Sequence, residues 1–386
     1  MPSTSLVLAF ISIAIWLYLA VARGGFWRLR KFDDDSTQHG VPSAWPAVVA
    51  IVPARNEAAT IAQTLTSLFN QNYAGQFSVV LVDDHSEDAT AQIARQTARE
   101  RDAESRISIR LAPRLPPGWT GKLWALNEGV GQAASATPTY YWFTDADIAH
   151  APDTLQRLVA HAERDHLDLA SLMVLLRAKT LPERALIPAF LFFFLKLYPP
   201  SWIANPHART AGAAGGCILL RSEALQQIGG LAAIRHEVID DCALARVVKR
   251  TGGRIWMGLT RASVSLRAYT TFREIRDMIA RTAFTQLRYS TPLLLGTLTA
   301  MFLTYLAPVA LLFARAPTPR VLGFIAWLLM SLLYLPTVRF YRLSPLWAPL
   351  LPLSALIYSY ATCLSATRYY LGSGAQWKGR TQAYER

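Results

Sequence analysis

Uncharged apolar stretches at both ends of this chain bracket a polar middle, and no other feature constrains its fold as much. Inside a bilayer every backbone N–H and C=O needs an internal partner, so such stretches have to be helices. Residues Met1 to Ala22 carry no charged side chain, and Leu6–Ala22 is almost wholly apolar. Ala20-Val21-Ala22 has the look of a signal-peptide cleavage site. A basic leader is missing, however, and the apolar run is longer than a signal core, so we read an uncleaved anchor. Arg23, Arg28, Arg30 and Lys31 follow at once, which by the positive-inside bias leaves the next residues in the cytoplasm. Towards the other end, Ser290–Ala314 and Val321–Val338 are uncharged and long enough to cross. Leu343–Thr367 is uncharged too, but Pro345, Pro349 and Pro352 disturb its helical start. Three crossings there would put Arg368, Lys378, Arg380 and Arg386 outside, so either the third segment is re-entrant or the bias is broken. The expected organisation is an anchor over residues 1–31, a cytoplasmic domain over 44–289, a transmembrane region over 290–367 and a basic tail over 368–386.

The middle alternates between the two regular periods. After a polar linker (Asp33 to Ser43), Ala47–Val52, Phe77–Val82, Ile107–Leu111 and Tyr140–Phe143 read as strands, and Glu57–Asn70, Asp88–Arg101, Leu123–Ala134 and Pro152–Asp165 as helices. Repeats of this length imply an α/β fold with a mostly parallel sheet and right-handed crossovers. Leu186–Leu197 has four phenylalanines and one charge, Lys196. It is too short to span and reads as a core helix or, beside the basic region, an interfacial one. Overall, 52% of the 386 residues are hydrophobic and 17% charged, an apolar balance that agrees with membrane segments. Three cysteines without metal-ligand spacing argue against a disulfide framework. The net charge is +13, and Leu181 to Tyr289 holds fifteen Lys/Arg against seven Asp/Glu. That belt next to the apolar block suits lipid headgroups, and the lack of basic runs interleaved with aromatics argues against nucleic acid.

Three strand ends carry groups fit for chemistry. Tyr140-Tyr141-Trp142-Phe143-Thr144-Asp145-Ala146-Asp147 ends a buried strand in two carboxylates. Asp is a common turn residue, but two acids at a strand's carboxyl end also suit a hard divalent cation. Val52-Pro53-Ala54-Arg55-Asn56-Glu57 and Val82-Asp83-Asp84-His85-Ser86 each lead from a strand into a helix, where N–H groups and an acid can meet a nucleotide. Pro116-Pro117-Gly118-Trp119-Thr120-Gly121-Lys122 is a rigid turn that presents one cation, solvated or set beside a phosphate. Neither strand-end turn is a dinucleotide fingerprint or a P-loop.

Taken in order, Pro53-Ala54-Arg55-Asn56-Glu57, Val82-Asp83-Asp84-x-Ser86, Gly121-Lys122-x-x-Ala125-Leu126-Asn127-x-Gly129 and Asp145-Ala146-Asp147 resemble family 2 glycosyltransferases of the GT-A fold. Gly215-Gly216-Cys217 resembles the acceptor-side loop of that family, and Asp240-Asp241 its acidic pair. The resemblance covers about Ala47 to Tyr289. Its finer pattern, in the Pro-Pro-Gly-Trp-Thr-Gly-Lys turn, Arg281–Ser290 and the membrane layout, is most similar to the hopanoid-biosynthesis-associated subgroup. The resemblance implies that Pro53, Arg55, Glu57, Asp84, Lys122 and Asp145 meet a nucleotide-diphosphate sugar. It implies that Asp147, helped by Asp145, holds Mg²⁺ or Mn²⁺, and that Asp241 is the catalytic base. Gly215, Gly216, Cys217, Asp240 and Arg288 fall on the acceptor side. Arg288-Tyr289 departs from the Gln/Arg-x-x-Arg-Trp motif of processive synthases, with Thr285 at its start. What is implied is an inverting transfer to a lipid, a hopanoid within the subgroup, by a multi-pass protein of the inner membrane. Read from the residues alone, Asp240 and Asp241 equally suit the N-terminus of a helix. A non-catalytic membrane scaffold and a lipid-phosphate nucleotidyltransferase stand as alternatives.

Overall fold

The computed structural model describes residues 4–34, 42, 44–372, 375–377 and 380–382. The chain divides into two compact units, one of Met1–Leu29, Arg177–Ser201 and Ala268–Ala375, the other of Arg30–Leu176, Trp202–Arg267 and Gln376–Arg386.

The second unit is built on an eight-stranded sheet. Its strands are β1 (Val48–Ala54), β2 (Phe77–Asp83), β3 (Ile107–Leu111), β4 (Tyr140–Phe143), β5 (Ile148–His150), β6 (Leu169–Leu175), β7 (Ile218–Arg221) and β8 (Ile255–Ser265). They lie in the order β3-β2-β1-β4-β7-β6-β8-β5. β1 and β4 are buried along their whole length, and β2 over its last five residues. Strands covered on both faces need continuous apolar runs, which is how these three read in sequence. The first half is parallel, linked by the helices Ile61–Phe69, Thr90–Glu100 and Gly121–Ala133. The second half is not: β7 runs antiparallel to both β4 and β6, and β5 antiparallel to β8. The sheet is therefore mixed. From β1 the chain steps outward to β2 and β3, then returns to place β4 on the other side of β1. Strand order thus reverses between β1 and β4, where open α/β sheets leave a crevice for ligands.

Two contacts fix this half. A Cβ at Gly129 would stand 2.4 Å from Ile51 Cγ2, so glycine lets the Gly121–Ala133 helix lie directly on β1. Asp33 accepts hydrogen bonds from Thr260 Oγ1 and the Arg261 N–H, both at 2.6 Å. The first residue of the expected linker is therefore docked on β8, while most of that linker lies outside the described residues.

The first unit holds apolar helices. Thr4–Val21, Leu181–Ala204, Thr291–Leu311, Pro317–Phe340 and Pro345–Tyr370 are each long and apolar enough to cross a membrane. Leu181–Ala204 is longer than the apolar run Leu186–Leu197 because its helix begins five residues earlier, at Leu181, and a second helix, Pro200–Ala204, follows. Length is not decisive here. β6 precedes this segment and β7 follows it, and the two pair in one sheet. Within the unit it is held by Ser354 Oγ and Tyr358 OH, which donate to the carbonyls of Ala185 and Leu186. The prolines of the last segment have the foreseen effect: Pro345–Leu350 is a 3₁₀ turn, and the α-helix starts at Leu351. A break also occurs in Thr291–Leu311, where Phe302–Leu306 is a π turn. Ser12 Oγ and Trp16 Nε1 donate to the carbonyls of Leu303 and Thr304 there.

Gly129→Val should lower stability by about 1–3 kcal/mol through overpacking against β1, read as a lower unfolding midpoint of the purified protein. An unchanged midpoint would contradict the close helix–sheet contact.

Candidate active site

The turn between β4 and β5 carries Asp145 and Asp147, and it is pinned from several directions. The Ala146 carbonyl accepts from Thr60 Oγ1 at 3.2 Å and Thr64 Oγ1 at 2.9 Å. The Asp147 carbonyl accepts the Leu266 N–H at 2.8 Å. Thr144 Oγ1 donates to the Gly216 carbonyl at 3.1 Å and lies 2.8 Å from His150 Nε2, while His150 Nδ1 lies 2.8 Å from Ser263 Oγ. Since the Thr144 proton goes to Gly216, His150 donates from Nε2 and accepts the Ser263 hydroxyl at Nδ1. Burial pushes this imidazole down to about 3, so the ring is neutral. Sequence reasoning missed it, because a lone His after Asp147 has no distinguishing pattern.

Beside this turn, at the ends of β1 and β4, is a cleft lined by Pro53, Lys122, Thr144, Asp145, Gly215, Asp240 and Asp241 with Leu231, Ile234 and Leu244. Lys122 Nζ stands 2.9 Å from Asp145 Oδ1 and 3.3 Å from Asp240 Oδ2. Burial alone would lower its pKa, but the charges of Asp145 and Asp240 outweigh that and raise it. Asp240 and Asp241 open the Asp240–Arg250 helix, where acids oppose the positive end of the dipole. Asp241 Oδ2 accepts the Gly215 N–H at 2.9 Å and its Oδ1 accepts the Cys242 N–H at 2.7 Å. Burial, and then the Asp240 charge, push the Asp241 carboxyl up to about 6, against Lys122 and these N–H groups. A Cβ at Gly215 would stand 3.2 Å from Lys122 Nζ and 3.4 Å from Asp241 Oδ2, so glycine makes room for the charged cluster.

Six of the expected residues thus meet in one cleft: Pro53, Lys122, Asp145, Gly215, Asp240 and Asp241. Arg55, Glu57 and Asp84 form the neighbouring pair of loops. Asp84 is 1% exposed, and Arg55 Nη1 donates to the Asp84 and His85 carbonyls at 2.6 and 3.0 Å. The Glu57 N–H donates to Thr90 Oγ1 at 2.8 Å, so both loops are stitched together. Asp147 is paired with Arg267 at 3.8 Å, a partner the sequence did not single out. The Gly216 carbonyl is engaged by Thr144, and a Cβ there would meet Val174 Cγ2 at 3.1 Å. The Cys217 side chain is fully buried in the core and receives the Trp142 indole N–H at 3.2 Å. Burial pushes that thiol up to about 12, and the Cys217 N–H and carbonyl are engaged by the Ala214 carbonyl and the Leu172 N–H. Arg288 belongs to the other unit, in the left-handed region with φ 52°.

The donors at the β4–β5 turn are two carboxylates, which fits a hard cation such as Mg²⁺ or Mn²⁺. Among the described residues no group of three or more His, Cys, Asp or Glu is placed to hold a metal. Such an ion would need oxygens from a ligand and water, as Mg²⁺ usually takes. In a titration followed by infrared spectroscopy of the carboxyl stretch, Asp241 should ionise near pH 6. Asp240→Asn should move the midpoint down by removing a like charge, and Lys122→Met should move it up. Equal midpoints in all three proteins would contradict this geometry.

Comparison with known proteins agrees with the fold. Residues 49–229 match the model of Glycosyl transferase family 2. A beta-monoglucosyldiacylglycerol synthase of Nostoc sp. is 30% identical over 129 residues, 33% of this chain and 26% of that protein. An N-acetylglucosaminyltransferase of Rhizobium leguminosarum bv. viciae is 31% identical over 121 residues, 31% of this chain and 26% of that protein. Each of these matches thus spans about a quarter of the relative's length. Among solved structures, a mannosyltransferase of Pyrobaculum calidifontis in complex with GDP-Man and Mn²⁺ superposes with a TM-score of 0.55 at 18% identity, over 92% of this chain and 99% of that one. Residues 49–229 are thus similar to glycosyltransferase family 2, and the fold is of the GT-A type.

Proposed function

We propose that the protein is a membrane-anchored, inverting glycosyltransferase that moves one sugar from a nucleotide-diphosphate sugar to a lipid acceptor at the cytoplasmic face. The observation that carries this reading is the placing of Lys122 and Asp145 in the same cleft as Asp240 and Asp241. Lys122 offers its charge to the leaving diphosphate. Mg²⁺ or Mn²⁺, held through Asp145 and Asp147, would neutralise further charge on that group when bound. Asp241 takes the proton of the acceptor hydroxyl as the new C–O bond forms. The bond to the diphosphate oxygen breaks with its electron pair, and attack from the opposite face inverts the carbon. A carboxyl pushed up to about 6 is a better proton acceptor than an ordinary aspartate and is still ionised at neutral pH. Arg55, Glu57 and Asp84 lie on the paired loops that would receive the nucleotide.

A lipid acceptor is supported by the apolar spans and by the similarity to a diacylglycerol-glucosylating relative. The likeness to the hopanoid-associated subgroup favours a hopanoid, and the curated relative favours diacylglycerol. Mass spectrometry of membrane lipids, with and without the gene product, distinguishes these by which species gains a sugar mass. Release of pyrophosphate in place of a nucleoside diphosphate would favour nucleotidyl transfer. Absence of any turnover would favour the scaffold. Asp147→Asn and Asp241→Asn should each lower transfer by about 10² or more with folding intact. Unchanged transfer in both would refute the assignment.

We infer the orientation from the basic residues after Thr4–Val21, and one contact supports it. Thr291 Oγ1 and Tyr370 OH are 2.7 Å apart, at the start of one apolar segment and the end of the last. With Thr291–Leu311 crossing outward and Pro317–Phe340 crossing back, the last segment begins and ends on the side where Thr291 lies. We read it as re-entrant, a path that agrees with Trp327 Nε1 donating to the Pro349 carbonyl near its start. This keeps Arg368 and Arg380 on the cytoplasmic side of the inner membrane, in line with the charge bias. A cysteine at Ala316 should label from outside, and a reporter fused after Arg386 should act in the cytoplasm. A reporter active only outside would overturn the re-entrant reading.

A further inference from the structure

We propose that Lys122 is a positioning residue that competes with the divalent cation for Asp145, so that cation and nucleoside diphosphate load together. This rests on the donor and metal reading above. The Lys122 ammonium sits 2.9 Å from Asp145 Oδ1, and its other contact, Asp240 Oδ2 at 3.3 Å, belongs to the acceptor-side pair. It bridges the two halves of the cleft, and the bare backbone of Gly215 lets it do so. A cation arriving alone at Asp145 would face a fixed positive charge that already holds that carboxylate. A diphosphate changes the balance. It brings anionic oxygens that the ammonium and the metal can share, so Lys122 can leave Asp145 without losing a counter-charge. Release from Asp240 follows from the same movement, and Asp240 is then left as a bare like charge beside Asp241. The lysine therefore ties the donor's arrival to the charge state around the base.

The rest of the turn is not free to adjust in its place. Thr60, Thr64 and Thr144 hold its backbone and side chains, so the movable partner of Asp145 is the long side chain of Lys122. Arg267 stands 3.8 Å from Asp147, a longer contact than that of Lys122 with Asp145.

The test is Mn²⁺ binding to the full-length protein in detergent, read from the spin-resonance signal of free Mn²⁺, alone and with UDP or GDP. Wild type should bind bare Mn²⁺ weakly, and one of the two nucleotides should tighten it by about tenfold or more, an ordinary coupling between two ligands. Lys122→Met should bind bare Mn²⁺ more tightly than wild type by a similar factor, with the nucleotide effect reduced. Lys122→Arg, which keeps the charge, should resemble wild type and serves as the control for folding. If Lys122→Met binds bare Mn²⁺ no more tightly while nucleotide still promotes Mn²⁺ binding in wild type, the competition is refuted and the donor reading stands. If neither nucleotide promotes Mn²⁺ binding in wild type, the donor reading fails and this proposal with it.

Discussion

One ammonium between two carboxylates is the constraint on which the cleft depends. Lys122 draws Asp145, from the end of β4, and Asp240, from the start of a helix, to within 3.3 Å of a single nitrogen. Without it, three acids would face one another in a largely buried space. Their repulsion would be relieved by protonation or by outward movement of the helix. With it, Asp240 and Asp145 have a counter-charge, and the strain falls on Asp241 alone. Asp241 is stabilised by the N–H groups of Gly215 and Cys242 and destabilised by burial. The two acids of one motif are thus unlike each other, one tied to a cation and the other poised near neutrality.

The cluster also needs a stiff floor. The Thr144–His150–Ser263 chain supplies it without adding charge, because the imidazole is neutral over the whole physiological range. It joins β4, β5 and β8 to the Gly215-Gly216 backbone, so the turn with the two aspartates and the loop above Asp241 share one set of hydrogen bonds. Both ring nitrogens of His150 and the hydroxyls of Thr144 and Ser263 are engaged with one another. A buried network that is satisfied in this way favours one geometry over many.

Much of this was legible in the sequence, and the rest was hidden for identifiable reasons. Strands such as Tyr140–Phe143 announced themselves because strands buried on both faces need unbroken apolar runs. The motif acids were legible as an ordered set, since any one of them alone reads as a turn or helix-start residue. Pairing direction was not legible, since an apolar run like Leu169–Leu175 reads the same beside a parallel or an antiparallel neighbour. The helix after it began earlier than its apolar run because Thr180 and Glu183 form a capping box there. Cys217 was placed by motif on the acceptor side, but a motif carries backbone and side-chain roles alike, and burial assigns this thiol to the core. Long-range partners such as Arg267 for Asp147 depend on how distant strands meet, and spacing along the chain does not encode that.

The membrane part follows the same logic of satisfied ends. A 24-residue segment can be apolar and long enough to span while the strands on either side of it pair in one sheet. The central claim, that the aspartates of the β4–β5 turn and Lys122 grip a metal-bound diphosphate, has one direct measurement. It is the anomalous scattering of Mn²⁺ in crystals grown with a nucleoside diphosphate. The account predicts one manganese peak against the carboxylates of Asp145 and Asp147, with the diphosphate within reach of Lys122. Manganese bound elsewhere, or a diphosphate held away from this cleft, would contradict it.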